Sequence, residues 1–114
     1  MSRNYSQFPD DENGDILWDM QQEGDNLEIS REIDFSVIFP TEEAAIKFAV
    51  QLLRNDQKVS FSPYEDHEEL PWQVQAHPVM LPTHENISGY ESELASAAQE
   101  FGGRNDGWGC FAQE

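Results

Sequence analysis

The chain has 114 residues, the length of one domain, and its 23 acidic against 6 basic residues give a formal charge of −17. Hydrophobic residues make up 38% of it, enough for a core, which excludes a wholly disordered chain. The charge argues against a nucleic-acid binder or a binder of anionic membranes, because both need basic residues to neutralise phosphate.

In chain order, residues 1–12 read as a flexible, acidic lead-in, and residues 13–114 as a single domain. A short helix is expected over 15–23. Ile16, Leu17 and Met20 share one face, Asp15 can cap its start and Gly24 can end it. Trp18 lies off that stripe. Residues 31–39 alternate: Ile33, Phe35, Val37 and Phe39 point one way, and Glu32, Asp34, Ser36 and Ile38 the other, which predicts a strand with one buried face. Pro40 ends it. Thr41 then caps a helix whose first turn carries Glu42 and Glu43. Its apolar stripe is Ala44, Ala45, Phe48, Ala49, Leu52 and Leu53, running to about Asn55.

A second strand follows, with Val59 and Phe61 facing inward, and then an acidic, irregular loop over 62–71. Trp72, Val74 and Ala76 alternate with Gln73, Gln75 and His77 in a third strand, and Pro78 interrupts its pairing. Thr83 caps a second long helix with Ile87, Tyr90, Leu94, Ala97, Ala98 and Phe101 on its apolar side, and Gly102 and Gly103 stop it. Residues 105–107 read as a turn and 108–113 as a last strand. The order is β-α-β-β-α-β after a small helix. That predicts an α+β protein, a ferredoxin-like split β-α-β sandwich with a short extra N-terminal helix. Right-handed crossovers put both long helices on one sheet face. The other face is left open, or is covered in part by the N-terminal helix or a partner.

Acidity is uneven. Residues 1–30 hold eight acids and one base, and residues 64–114 hold ten acids and one base. Such surfaces favour basic partners. The polar start lacks the basic and apolar segments of a secretion signal, and no apolar run approaches the roughly 20 residues that span a bilayer. The single cysteine, Cys110, admits no internal disulfide. A soluble, cytoplasmic protein is expected.

The segment Asn105-Asp106-Gly107-Trp108-Gly109, the Glu43-Ala44-Ala45 run on the first long helix and the β-α-β-β-α-β order over 31–112 together resemble the RraB family, the bacterial regulators of ribonuclease activity B. The resemblance implies a ferredoxin-like α+β fold. It also implies a non-enzymatic regulator that inhibits the endoribonuclease RNase E by direct binding and so alters RNA turnover. Longer members of the family carry an acidic tail after the last strand. Here the acidity lies at the N-terminus and in the loop after the second strand.

Within the motif, Asp106 and Gly107 supply a turn, Trp108 packs against the helices and Gly109 permits close backbone approach, a structural role. The binding candidate is the acidic loop: Glu65, Asp66, Glu68 and Glu69, flanked by Tyr64 and Trp72. Carboxylates beside aromatics suit an Arg-rich protein by ion pairing and cation–π contact. A solvated loop is the plainer alternative. His67, His77 and His84 have no Cys or His partner at zinc spacing, so no metal or other cofactor is expected. Cys110 with His84 as base is the enzymatic alternative, and nothing in the spacing favours it. A structural or adaptor subunit with another basic partner, or a small-ligand-binding domain, are the remaining alternatives.

Overall fold

The computed structural model describes residues 3–64 and 68–110. The first helix, α1, spans Glu12–Gln22 and starts earlier than the sequence suggests. Asp11 is extended, and its carboxylate accepts from the Gly14 N–H at 2.8 Å. Asp15, expected as the cap, already donates its own N–H to the Asp11 carbonyl from inside the helix. The end is as read: Gly24 takes a φ of 97° just after the helix. Leu17 is buried, and Trp18 meets Phe8 edge-on at 5.5 Å. Phe8, in the stretch read as a lead-in, joins the core. Arg3 fixes that stretch: its guanidinium donates to the Phe8 carbonyl and pairs with Asp15 at 2.8 Å.

Gly14 sits in this joint without room for a side chain, since an added Cβ would overlap the Pro9 carbonyl oxygen. Alanine is ordinarily the better helix former by about 1 kcal/mol. Gly14→Ala should nevertheless destabilise the protein, by about 1–3 kcal/mol, because the obstacle is backbone. Urea unfolding checks this.

The expected strand over 31–39 is two strands. Arg31–Glu32 (β1) pairs with Val79–Met80 (β5), whereas Asp34–Phe39 (β2) pairs with Trp72–Ala76 (β4). The switch of partner occurs at Ile33, whose N–H goes to the Pro78 carbonyl at 2.8 Å. Pro78 thus interrupts the ladder as its missing N–H requires. With β3 (Val59–Pro63) and β6 (Arg104–Gly109), the main sheet runs β3-β4-β2-β6, every neighbouring pair antiparallel. The protein is therefore α+β, with three helices and two antiparallel sheets among the described residues.

Helices α2 (Glu42–Arg54) and α3 (His84–Gln99) start at the expected caps. Thr41 Oγ1 accepts from the Ala44 N–H, and Thr83 Oγ1 from that of Asn86. Both helices pack on the face carrying Phe35, Val37, Phe39, Val74 and Ala76, through Phe48, Leu52, Ile87, Leu94 and Ala98. Phe39 meets Phe48 at 5.0 Å, and Phe35 meets Tyr90 at 4.6 Å. Leu53 departs from its assigned place in the stripe: it is 55% exposed, one step off the buried line of Phe48, Ala49 and Leu52.

The N-terminal helix packs against α3, and both long helices lie on the first sheet face. The opposite face is polar, with Ser36, Ser60, Gln73 and Gln75 in adjoining registers. β2 is nonetheless buried on both sides: Ser36 and Ile38 are 8% and 1% exposed. In a central strand, Ile38 lies between Gln73 and Arg104 of its neighbours, so the expectation of one buried face does not hold.

Candidate functional site

The acidic loop joins β3 to β4. Glu65, Asp66 and His67 lie outside the described residues. The loop base closes through the Tyr64 N–H and the Pro71 carbonyl at 2.6 Å. Glu68 and Glu69 are exposed beyond it, and Tyr64 and Trp72 are half-buried. Trp72 does not stand free for a partner cation. Its ring stacks on Phe61 at 5.4 Å and 7° between planes. In register, Trp72 and Phe61 point to the helix-bearing side of the sheet. Phe61 is 39% exposed, so the aromatic pair is not fully covered.

The second acidic place is built around the glycine-tryptophan motif, and its geometry differs from a turn. Asn105 to Gly109 all belong to β6. Val37 pairs with Asn105 and Phe35 with Trp108, so Asp106 and Gly107 together oppose the single residue Ser36. The motif is a β-bulge in a continuous strand, and Gly107 supplies its φ of 95°. A turn and a bulge ask for the same residue types, which is why the sequence does not separate them. Gly109 has a different setting from the one expected, because an added Cβ there meets nothing within 4 Å.

The bulge turns Trp108 toward the helices. Its indole Nε1–H donates to Asn13 Oδ1 of α1 at 2.9 Å. The Asn13 amide donates onward to Ser88 Oγ and to Glu91 Oε1 on α3. Asn105 Nδ2 donates to the other oxygen of Glu91 at 3.0 Å. One asparagine thereby ties strand, N-terminal helix and α3 together. A pocket of about 600 Å³ opens over this knot, lined by Asp11, Glu12, Glu91 and Asp106 among others, with no Lys or Arg in its lining. Sequence reading placed no site here. Asn13 and Trp108 are 95 positions apart, and no local pattern marks an asparagine as the hub of three elements.

His84 extends the same joint. Its Nε2 lies 2.7 Å from Asp11 Oδ2 and 3.4 Å from Ser88 Oγ. The Gly14 N–H and then His84 hold the Asp11 carboxyl below the usual aspartate range. A carboxyl lowered by folding contributes stability above its unfolded value of 3.8, and that contribution is lost as the pH falls through the lower folded value. Acidification should therefore release the α1 start. The protection of the Gly14 amide against hydrogen exchange, taken relative to its intrinsic rate at each pH, should fall, and Asp11→Asn, which keeps the cap, should flatten this pH dependence.

Cys110 lies against Arg31, and burial pushes its thiol up, away from the thiolate a nucleophile needs. His84 is engaged by Asp11 and Ser88, so the contacts of the two residues do not overlap. His77, read alone in the sequence, has Asp34 and Glu32 beside it.

Among the described residues no helix is long and apolar enough to cross a membrane. Residues 10–110 match the RraB family model, "Regulator of ribonuclease activity B". No curated protein matches the chain.

Proposed function

The chain belongs to the RraB family, and from that premise we propose that it is a cytoplasmic, non-enzymatic regulator that binds an RNase E-type endoribonuclease and lowers its access to RNA. The family match over residues 10–110 is the observation that carries this reading. The distribution of charge supports a mechanism for it. Ribonucleases of this type hold RNA on basic segments. A protein of −17 presents carboxylates to the same segments and competes with phosphate for them.

Tyr64, Glu65, Asp66, Glu68, Glu69 and Trp72 are the proposed contact residues. Exposed Glu68 and Glu69 supply charge, and Phe61, 39% exposed where it stacks on Trp72, supplies apolar surface for the aliphatic stems of arginine side chains. Asp106, Gly107, Trp108 and Gly109 serve the scaffold. The strand order β3-β4-β2-β6 supports a ferredoxin-like reading of the main sheet, with β1, β5 and α1 added to it.

The test is capture of lysate proteins on the purified chain at low and at high salt, followed by mass spectrometry. Retention of an RNase E-type ribonuclease at low salt and its release at high salt is expected. Retention that ignores salt would sink the electrostatic mechanism, and retention of an unrelated protein would sink the ribonuclease.

A further inference from the structure

One group of side chains serves neither the acidic loop nor the tryptophan knot. Glu32 at the end of β1, Asp34 at the start of β2 and His77 just after β4 converge at one corner of the molecule. One carboxylate oxygen from each acid and one imidazole nitrogen all lie within 4.8 Å of one another. Nδ1 of His77 is 2.6 Å from Asp34 Oδ1 and 4.0 Å from Glu32 Oε1.

The surroundings aim these atoms. On the polar sheet face, Gln75 Nε2 donates to Ser36 Oγ at 3.0 Å. That turns the Gln75 carbonyl oxygen toward Ser60, whose hydroxyl donates to it at 3.5 Å. The Ser60 oxygen is then free to accept from His77 Nε2 at 2.9 Å. The remaining nitrogen, Nδ1, is the one directed at the carboxylates. Glu32 is held in a similar way, with Oε2 on Lys58 Nζ at 2.9 Å and Oε1 facing His77. An imidazole with one nitrogen fixed by an outer hydrogen bond and the other aimed among anionic oxygens is the arrangement of a metal ligand.

We propose that Glu32, Asp34 and His77 form a binding site for a divalent transition metal, Zn²⁺ best suiting one imidazole and two carboxylates. Three protein ligands leave a fourth position for water. Tetrahedral bonds of about 2.0–2.2 Å set neighbouring donor atoms roughly 3.4 Å apart. His77 Nδ1 and Asp34 Oδ1 part by under about 1 Å to reach that spacing, and Glu32 Oε1 closes on His77 Nδ1 by a similar amount. The side chain of His77 is 11% exposed, while those of Asp34 and Glu32 are 38% and 43% exposed, so the ion reaches the site from solvent. The bound ion clamps the short β1 strand to the main sheet at the point where the chain changes partner.

The test is calorimetric titration of the metal-free chain with Zn²⁺, with Mg²⁺ as comparator because 23 carboxylates bind hard cations diffusely. One Zn²⁺ per chain is expected. Binding should weaken at least tenfold in His77→Gln and in Asp34→Asn and stay unchanged in His84→Gln, with circular dichroism confirming that each variant is folded. X-ray absorption on the loaded wild-type chain should show one imidazole nitrogen and otherwise oxygen. Zn²⁺ binding no tighter than Mg²⁺, binding indifferent to His77→Gln and Asp34→Asn, or a metal shell without imidazole would each overturn the proposal and leave an ordinary ion pair.

Discussion

Asp25→Ala should destabilise the protein by about 3–5 kcal/mol, a large part of what a domain of this size possesses. Asp25 and Arg31 are 7% and 5% exposed, and their charged side chains are only 3% and 2% exposed. Nη1 of Arg31 reaches both Asp25 oxygens, at 2.8 and 2.7 Å. Nη2 donates to the Asn26 and Ile29 carbonyls at 2.7 and 3.1 Å. The guanidinium therefore organises the whole connection between α1 and β1. Removing the carboxylate takes from a buried cation the acid that both Nη1 bonds use, which costs far more than the pair itself contributes. Asp25→Leu combined with Arg31→Met removes both charges, and it should recover most of the loss. Urea denaturation of the single and double variants measures both effects. A single variant within about 1 kcal/mol of wild type would show that water reaches the pair.

The second large effect concerns binding. Reversing Glu65, Asp66, Glu68 and Glu69 together to lysine should slow association with the ribonuclease by about tenfold or more at low salt. The difference should shrink as salt is raised, because the Debye length falls to about 8 Å at physiological ionic strength. Stability should change little, since Glu68 and Glu69 are exposed. Stopped-flow association rates at several salt concentrations give the answer. Equal rates for wild type and variant would move the contact surface elsewhere, and the acidic pocket over Asn13, Glu91 and Trp108 becomes the next surface to test.

What the sequence reveals follows from the range of the interactions involved. Thr41 and Thr83 are legible as caps because a cap acts within three residues, and the Ala44 and Asn86 amides show it. Alternation in β4 is legible because a sheet face repeats every second residue. Gly24 and Pro78 are legible because each constrains its own backbone. Asn13, Asp25 and Phe8 are not. Asn13 acts through Trp108, Ser88 and Glu91, all at least 75 positions away. Asp25 lies in a connection with no periodicity, and its burial depends on an arginine that would ordinarily be placed at the surface. Phe8 looks like an isolated aromatic in a polar tail until α1 folds over it. The split of the first strand was hidden for a related reason: side-chain alternation continues through Ile33 while the pairing partner changes. Leu53 shows the reverse error, an apolar residue counted into a stripe that the helix turns toward solvent.

A chain that restrains a ribonuclease by occupying it must slow cleavage in proportion to how much of the enzyme it holds. The most direct measurement is the cleavage rate of a defined RNA by a purified RNase E-type enzyme as the chain is titrated in at low salt. Cleavage should fall as the chain approaches equimolar amounts and recover when salt is raised. Cleavage that stays constant across the titration, under conditions where the enzyme and RNA alone behave normally, would contradict restraint by occupancy.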